Sequence, residues 1–254
     1  MTQLVILITG ATGAIGSALA SYYAQPGIYL ILQGRNLKAL NDLSVACQQL
    51  GAEVETVQLD LLDMAGLKKW TNELSAQRLP NLVIANAGIN TNNGKKRQGE
   101  TWDNVEALID LNIKSTFALV NSLLPAMRQR GHGQIALMSS LAAYYGLPIT
   151  PSYCASKAAI KSYGEALRGW LAKENIKINV IMPGYIKSDM CSQMPGPKPF
   201  LCTPEKAAKI IANGLVKNKA RITFPFPLNF GTWILAILPA SFSQFILKYI
   251  GYGG

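Results

Sequence analysis

Residues 4–16 read LVILITGATGAIG, a short apolar run followed by a glycine-rich turn. The apolar run is typical of a strand buried in a parallel sheet, and a helical pattern follows the turn to about Ala24. Glycines let a backbone approach a pyrophosphate closely, and the first N–H groups of a helix attract anions. The turn therefore predicts a nucleotide site, with a tight turn that binds nothing as the alternative. The residues expected to contact the nucleotide are Gly10, Thr12, Gly13, Ala14, Ile15 and Gly16.

The rest of the chain repeats this alternation of apolar strands with helical segments. The predicted strands after residues 4–8 are residues 28–33, 53–59, 82–85, 134–139, 177–182 and 221–224. This alternation predicts an α/β fold, a single doubly wound Rossmann domain with a parallel sheet of about seven strands and helices on both faces. We assign residues 1–225 to this dinucleotide-binding and catalytic domain, and residues 226–254 to a hydrophobic C-terminal extension.

Two side chains at strand ends bear on the choice of dinucleotide. Arg35 follows the second strand, where a fold that selects NAD usually has an acid and one that selects NADP has an arginine. No acid stands beside Arg35 in the sequence, so we predict NADP(H), with a solvent-facing arginine as the alternative. Asp60 closes the third strand, where it can hold the adenine amino group or cap the following helix.

Residues 140–157, SLAAYYGLPITPSYCASK, carry the candidate chemistry. Tyr153 and Lys157 are four residues apart, which places both side chains on one face of a helix. A phenol has a reference pKa of about 10, and a neighbouring ammonium group lowers it, so the pair can donate and accept a proton. Ser140 follows an apolar run and can hydrogen-bond a carbonyl oxygen. The alternative for Tyr153 and Lys157 is an ordinary pair on a helix surface.

Two further segments have features that suggest a function. Residues 101–130 are predicted as one long helix that contains Asn112, and asparagine is mildly unfavourable inside a helix. Residues 185–203 contain three prolines and are predicted to be too irregular for a helix or strand. A loop of this length in a compact domain is usually functional, so we expect a substrate lid here.

The composition limits the classes of partner. The net charge of +10 suits polyanions, anionic membranes or phosphorylated ligands, but the one basic run, residues 95–97, has no interleaved aromatics, so we predict no nucleic-acid binding. The four cysteines lack metal-ligand spacing and His132 is the one histidine, so we predict no metal site. We interpret the cysteines as reduced thiols of a cytoplasmic protein, and the N-terminus shows no basic leader.

With these residues in place, the chain resembles the short-chain dehydrogenases/reductases over roughly residues 3–225. The order and spacing that carry the resemblance are those of the Gly10–Gly16 turn, Asp60, Asn86-Ala87-Gly88, Asn112, Ser140, Tyr153, Lys157 and Pro183-Gly184. The resemblance implies hydride transfer between NADP(H) and a small-molecule carbonyl compound or secondary alcohol. It also implies a homodimer or homotetramer.

The resemblance implies a role for each matching residue. Tyr153 is then the general acid–base, and Lys157 lowers the pKa of Tyr153 and holds the nicotinamide ribose. Ser140 orients the carbonyl group, and Asn112 holds a water for the proton relay. The further cofactor contacts implied are Arg35, Asp60, Leu61, Asn86, Ala87, Gly88, Pro183, Gly184, Ile186 and Ser188, the last at a position where the family often has a threonine.

One departure from the family pattern lies in the glycine turn. The usual short-form turn is Thr-Gly-x-x-x-Gly-x-Gly, whereas here Ala14 stands at the middle glycine and Gly13 precedes it. The resulting Gly-x-x-Gly-x-x-Gly spacing resembles the extended branch of the family, while the chain length and Asn86-Ala87-Gly88 resemble the short branch. Because alanine is small, we expect cofactor binding to survive.

The C-terminal extension is strongly apolar, with no charged residue over residues 222–247. Pro239 interrupts any helix there, so we expect two short helices more readily than one membrane span. Three interpretations of the extension remain: a cover for the substrate pocket or a subunit interface, which we favour; peripheral contact with a membrane surface; or a membrane span.

Two function classes remain open. The first is an NADP(H)-dependent oxidoreductase whose substrate is lipid-like or, by the resemblance, a sugar intermediate of bacterial surface polysaccharide synthesis. The second is a catalytically idle NADP-binding regulator or scaffold, against which the complete set of Ser140, Tyr153, Lys157 and Asn112 argues.

Overall fold

The structure, a computed structural model, describes residues 3–92, 94, 98–194 and 196–252, so the basic run 95–97 lies outside the described residues. Within the described residues, the strands are β1 (Leu4–Ile8), β2 (Ile28–Gly34), β3 (Glu53–Gln58), β4 (Leu82–Ala85), β5 (Gly133–Met138), β6 (Ile176–Pro183) and β7 (Arg221–Phe224). They form one parallel sheet in the order β3-β2-β1-β4-β5-β6-β7. The predicted doubly wound sheet of about seven strands is therefore confirmed.

Helices cover both faces of the sheet. They are α1 (Ala14–Tyr23), α2 (Leu37–Gln49), α3 (Met64–Gln77), α4 (Trp102–Ile109), α5 (Thr116–Arg130), α6 (Pro151–Trp170), α7 (Asp189–Ser192), α8 (Pro204–Val216), α9 (Leu228–Ile237) and α10 (Ala240–Tyr249). Helices α1, α2 and α8 share one apolar core with the sheet, and α3, α5 and α6 share a second core on the opposite face.

The strand β1 shows why residues 4–8 are apolar at nearly every position. Ile6 and Ile8 pack into the core beneath α1, α2 and α8, whereas Val5 and Leu7 pack into the core beneath α3, α5 and α6. Successive side chains of a strand point to opposite faces, so a strand between two helical layers needs apolar residues on both sides.

The strand order reverses at the centre of the sheet. β1 pairs with β2 on one side and with β4 on the other. The connections that follow β1 and β4 therefore leave toward opposite faces, and a crevice opens between them at the carboxyl ends of the strands. The glycine turn after β1 and Asn86 after β4 meet at this crevice, where the Asn86 amide donates a hydrogen bond to the carbonyl of Gly10.

The structure adds detail to two sequence predictions. The predicted long helical stretch over residues 101–130 is confirmed as a continuous helical run over Trp102–Arg130, in which a π-helical turn at Asp110–Ser115 separates α4 from α5. Asn112 lies in this wider turn and its buried amide bonds the backbone of Ile89, a tertiary interaction that helix propensity does not report. The described residues of this second segment, 185–194 and 196–203, are mostly irregular as predicted, but they contain the one-turn helix α7 and a bridge between Ile186 and Cys202.

The C-terminal extension forms two short helices, α9 and α10, separated by Leu238 and Pro239 as predicted. Their inner faces bury Leu235 and Leu247 in a cluster with Ile149 and Tyr252. Their outer faces expose two stripes at i, i+3 and i+7, formed by Phe230, Trp233 and Ile237 and by Phe242, Phe245 and Tyr249. Among the described residues, the helical run long and apolar enough to cross a membrane is Trp102–Arg130, and half of its most apolar window is buried inside the domain.

Gly164 allows α6 to lie close to the sheet. A Cβ atom at Gly164 would lie 2.6 Å from Cγ2 of Val180, whereas one at Gly169, on the same helix, would meet no atom within 4 Å. We expect Gly164→Ala to lower the free energy of unfolding by about 1–3 kcal/mol through overpacking. The control Gly169→Ala should raise it by about 0.5–1 kcal/mol, because alanine is the better helix former. Urea unfolding of both variants checks this, and equal effects would contradict the packing argument.

Candidate active site

A cleft of about 1040 Å³ opens at the carboxyl end of the sheet. The turn after β1, the ends of β2, β4, β5 and β6, the start of α6 and the two C-terminal helices line it. It brings together every residue that the sequence assigned to the site except Gly16 and Asn112, which do not line it. Within the described residues, no group of three or more His, Cys, Asp or Glu side chains is arranged to hold a metal ion.

The glycine turn has two positions at which no other residue fits. Gly10 has a φ of 60°, and a Cβ atom there would lie 2.8 Å from Cα of Ala87. A Cβ atom at Gly16 would lie 2.3 Å from the carbonyl oxygen of Gly10, whereas one at Gly13 would lie at 3.4 Å, an ordinary contact. The tight backbone packing of the turn thus depends on Gly10 and Gly16, and the structure accommodates Ala14 as the first residue of α1.

Polar side chains hold the turn against the neighbouring strands. The Thr9 hydroxyl oxygen accepts hydrogen bonds from the backbone N–H groups of Asn86 (3.0 Å) and Ala87 (3.1 Å). The Asn86 amide donates to the carbonyl of Gly10 (3.1 Å), and Gln33 accepts from the Gly10 N–H (3.1 Å). Sequence analysis missed Thr9 and Gln33 as positioning residues. The available signal was Gln33, a polar residue at the end of an otherwise apolar strand and here 2% exposed.

Arg35 has an acidic neighbour that its sequence context did not reveal. Its Nη1 lies 3.9 Å from Oδ2 of Asp60, and both side chains are largely exposed. Arg35 has no acid beside it in the sequence but has one in three dimensions, since β2 and β3 are paired strands whose ends lie side by side. An exposed ion pair contributes about 0–1 kcal/mol, so the Arg35 guanidinium can exchange this partner for a ligand anion.

Asp60 does not cap the helix that follows it. The N-cap of α3 is Asp63, whose Oδ1 accepts a hydrogen bond from the N–H of Gly66 at 3.0 Å. Asp60 instead accepts a hydrogen bond from the N–H of Leu62 at 3.0 Å and lines the cleft. The helix-capping alternative for Asp60 is thus excluded.

Tyr153 and Lys157 lie together in the first two turns of α6. Nζ of Lys157 is 5.5 Å from the centre of the Tyr153 ring and donates a hydrogen bond to the carbonyl of Met138 at 3.0 Å. The hydroxyl of Ser139 donates to the backbone carbonyl of Lys157 at 2.7 Å. These two bonds hold α6 against the end of β5, and Ser139 is a second positioning residue that sequence analysis missed.

Ser140 stands at the junction of three elements beside Tyr153. Its hydroxyl oxygen accepts from the N–H of Ala142 at 3.1 Å, which caps the 3₁₀ turn Leu141–Ala143, and its O–H donates to the carbonyl of Pro183 at 3.4 Å. In place of this long bond the Ser140 O–H can donate to the Tyr153 oxygen, which lowers the pKa of that phenol. The serine and tyrosine hydroxyls can therefore reach one small polar group at the same time.

Burial sets the protonation of the two ionisable groups. It raises the pKa of Tyr153 to about 12, with the Ser140 hydrogen bond acting in the opposite direction, and it lowers the pKa of Lys157 to about 8. Desolvation of the phenol dominates the net pKa of Tyr153, and the lowering by Lys157 that the resemblance implies stays a prediction. At neutral pH Tyr153 is therefore a neutral phenol with a proton to donate.

Asn112 does not line the cleft, but its side-chain amide hydrogen-bonds two segments beside it. Its Oδ1 accepts from the N–H of Ile89 and its Nδ2 donates to the carbonyl of Ile89, both at 2.9 Å. The same Nδ2 donates to the Ser156 hydroxyl at 3.1 Å, which in turn donates to the carbonyl of Tyr153 at 2.8 Å. A Cβ atom at Gly88 would lie 3.0 Å from Oδ1 of Asn112. The chain after β4 and the helix that carries Tyr153 are thus joined through Asn112.

The end of β6 contributes the remaining predicted residues. Pro183, Gly184, Ile186 and Ser188 line the cleft, and the Ser188 hydroxyl oxygen accepts from the N–H of Cys191 at 3.1 Å as the cap of α7. A Cβ atom at Gly184 would lie 2.8 Å from Cδ2 of Leu228. Gly184 therefore lets α9 pack directly beside the candidate catalytic residues.

Comparison with protein families gives a match to the model for short chain dehydrogenases over residues 4–197. Helices α8, α9 and α10 lie outside the matched part. The chain is 32% identical over 240 residues to an uncharacterized oxidoreductase of Myxococcus xanthus, with 94% of each chain covered. This similarity extends over almost the whole chain.

Solved structures share the fold. A short-chain dehydrogenase from Sphingobium yanoikuyae in complex with NADPH superimposes with a TM-score of 0.82 at 22% identity, covering 96% of this chain and 95% of that one. A short chain dehydrogenase/reductase from Burkholderia phymatum in complex with NAD gives a TM-score of 0.81 at 20% identity, covering 91% and 92%. Proteins of this fold thus include both an NADPH complex and an NAD complex.

The lowered pKa of Lys157 predicts a pH-dependent stability. Between pH 8 and the unfolded pKa of 10.5, the unfolded chain binds more protons at this residue than the folded chain, so the free energy of unfolding rises with pH. Relative to Lys157→Met, we expect the wild-type protein to gain about 2 kcal/mol between about pH 7.5 and 9.5. Tyr153 acts in the opposite sense only above its unfolded pKa of 10.0, outside this window.

Urea unfolding at both pH values measures this gain. Lys161→Met is the control, because Lys161 lies one turn further along α6 and pairs with Glu165. Relative to Lys157→Met, the Lys161→Met variant should gain free energy of unfolding between the two pH values as the wild-type protein does. If the free energy of unfolding of the wild-type protein relative to Lys157→Met stays constant or falls over this range, the prediction is wrong.

Proposed function

The chain belongs to the short-chain dehydrogenase/reductase family, and on that premise we propose that it is an NADP(H)-dependent oxidoreductase acting on a carbonyl group or secondary alcohol. The observation that carries the proposal is the meeting of Ser140, Tyr153 and Lys157 in the cleft beside the glycine turn. The second class, an idle NADP-binding regulator or scaffold, gives no reason for a buried lysine and a protonated phenol to share this cleft.

The residues around the crevice fit a dinucleotide. The backbone at Gly10 and Gly16 leaves no space for a side chain, and the N-terminus of α1 points its free N–H groups toward anions bound at the turn. We infer that the turn holds the pyrophosphate and that the ends of β4 and β6, with Lys157, hold the nicotinamide half. A bound NADPH would supply the hydride for the carbonyl carbon.

In the direction of reduction, Tyr153 donates its proton to the carbonyl oxygen as the carbon receives the hydride, so that carbonyl, hydride and proton together give an alcohol. The Tyr153 phenol carries its proton at neutral pH, as this step requires. Ser140 orients the carbonyl oxygen, and the ammonium group of Lys157 stabilises the negative charge left on the phenol oxygen.

Asn112 acts mainly by positioning. Its Oδ1 and Nδ2 already bond Ile89, and Nδ2 also bonds Ser156, so its side chain couples the turn after β4 to the first turn of α6. Substitution of Asn112 should therefore displace Tyr153 as well as disturb the proton path. The relay water that the resemblance assigns to Asn112 stays a prediction.

Arg35 supports NADP(H) over NAD(H). It lines the cleft at the end of β2, where a 2′-phosphate on the adenosine ribose is expected, and its ion pair with Asp60 is long and exposed. A phosphate carries more charge than the Asp60 carboxylate and accepts several hydrogen bonds, so it competes well for the guanidinium.

The inner and outer faces of the C-terminal extension have different proposed roles. The inner faces of α9 and α10 line the cleft, which supports our assignment of residues 226–254 as an extension packed on the domain of residues 1–225. The outer stripes, with Phe230 and Phe245 among their exposed side chains, are where a second copy of the chain or a membrane surface would make contact. Both interpretations of the outer stripes stay predictions.

Tyr153→Phe removes the proposed proton donor and little else. We expect kcat for carbonyl reduction to fall by about 10²–10⁴-fold while NADPH still binds. The control Tyr163→Phe alters a tyrosine of the same helix whose hydroxyl bonds Asn121, and that change should leave kcat near the wild-type value. NADPH absorbance gives the rate and fluorescence titration gives the cofactor affinity. Near wild-type turnover by Tyr153→Phe would rule out the mechanism.

Arg35→Asp tests the cofactor preference. We expect the wild-type protein to bind NADPH more tightly than NADH, and the variant to lose this preference by about tenfold or more, since one charge-assisted contact is worth about 1.5–3 kcal/mol. Lys173→Asp makes the same charge change at an exposed lysine that does not line the cleft, and should keep the preference. Titration of both cofactors decides, and an equal affinity of the wild-type protein for both would overturn the NADP(H) assignment.

A further inference from the structure

The half of the cleft beyond Tyr153 is walled by the C-terminal extension. Helix α9 packs against Gly184 at the end of β6, and the hydroxyl of Tyr145 donates to the carbonyl of Ala240 at the start of α10, at 3.1 Å. The side chains that line this half are mostly aliphatic or sulfur-containing, and include Leu147, Met194, Leu228, Leu235, Ile246 and Leu247.

The tyrosine hydroxyls in this half are already bonded within the protein. Tyr145 donates to Ala240 as described, and Tyr185 donates to the hydroxyl of Tyr252 at 2.8 Å. Tyr252 in turn donates to the carbonyl of Pro197. These bonds tie the loop after β6 to the end of the chain, and they leave no tyrosine proton in this part of the described cleft to bind a ligand.

The remaining polar groups near this wall are few. The Thr232 hydroxyl donates within its own helix to the carbonyl of Leu228 at 3.0 Å. The charged side chains that line the cleft are Arg35, Asp60, Lys157 and Asp189. The first three belong to the cofactor half and the catalytic group proposed above, and Asp189 is an exposed residue of α7. None of the four lies on α9 or α10.

We propose that the substrate is a long-chain or polycyclic hydrocarbon that carries one reactive carbonyl or hydroxyl group, with its apolar body held between residues 185–194 and the inner faces of α9 and α10. The proposal rests on the oxidoreductase function proposed above, and it adds the class of substrate. Ser140 and Tyr153 supply the polar contacts at the reacting oxygen, and the wall formed by α9 and α10 offers mainly apolar contact. A lipid-like substrate is thus favoured over a sugar intermediate.

The physical reason is the difference in desolvation between methylene and hydroxyl groups. Each methylene buried against this wall should raise kcat/KM about fourfold, the equivalent of about 0.8 kcal/mol. Each additional hydroxyl group placed there loses its water without gaining a partner, which should lower kcat/KM about 5- to 150-fold. A ketose with several hydroxyl groups is therefore a poor substrate for this cleft.

The test uses the full chain with NADPH and a series of 2-alkanones from butanone to decanone, with fructose as the polyhydroxylated ketone. We expect kcat/KM to rise about fourfold per methylene until the wall is covered, with no measurable turnover of fructose. Ile246→Trp narrows the cleft from α10 and should lower the ratio of the decanone to the butanone value by about tenfold or more.

Two further variants distinguish the effect of narrowing the cleft from a general effect on folding. Phe245→Trp changes the neighbouring residue of α10, which is 63% exposed and does not line the cleft, and should keep the wild-type ratio. Ile234→Trp narrows the cleft from α9, and should lower the ratio as Ile246→Trp does, so the test survives if one variant fails to fold.

The outcomes distinguish the substrate class from the proposed function. Turnover of ketones with no dependence on chain length, or efficient turnover of fructose, overturns the substrate class and leaves the oxidoreductase function standing. If no ketone is turned over, the thermal unfolding temperature is measured with and without 2-decanol. A rise in this temperature for the wild-type protein but not for Ile246→Trp supports the apolar site and counts against the proposed function. Absence of both turnover and stabilisation overturns the proposal.

Discussion

The Thr9 hydroxyl accepts hydrogen bonds from the backbone N–H groups of Asn86 and Ala87, and so joins the ends of β1 and β4 where the strand order reverses. The Asn86 amide returns two hydrogen bonds, to the carbonyls of Thr9 and Gly10. With the strand ends held this close, the turn after β1 must pass Ala87 at a distance that only glycine allows. The crevice for the cofactor and the start of the catalytic cleft both follow from this junction.

A second constraint is the burial of two ionisable groups side by side. Desolvation favours the neutral form of each, which raises the pKa of Tyr153 and lowers that of Lys157. The carbonyl of Met138 and the Ser139 hydroxyl hold Lys157 in place, and Asn112 and Ser156 hold the helix turn that carries Tyr153. A neutral phenol that is positioned in this way is suited to give a proton to a carbonyl oxygen that is being reduced.

The C-terminal extension lines the cleft with its inner face and exposes its outer face to solvent. Gly184 lets α9 pack beside the proposed catalytic residues, and the hydroxyls of Tyr145, Tyr185 and Tyr252 hydrogen-bond the extension to the domain. Since these hydroxyls are used internally, the wall presents hydrocarbon to the cleft. The same two helices expose aromatic stripes on their outer faces, so one apolar segment serves both the interior of the cleft and an exterior surface.

The sequence by itself determined the fold and predicted where the candidate site lies. The apolar run of residues 4–8, the glycines of the turn and the repeated alternation of strands and helices are local patterns, and strand ends in a parallel sheet meet at one edge. Tertiary structure alone decided four features. Asp60 lies beside Arg35, and a π-helical turn places the Asn112 side chain against the backbone of Ile89. Ser156 links Asn112 to the backbone of Tyr153, and burial dominates the pKa of the Tyr153 phenol. The reason is that each of these depends on groups distant in sequence or on exclusion of water, and neither is a property of a residue and its sequence neighbours.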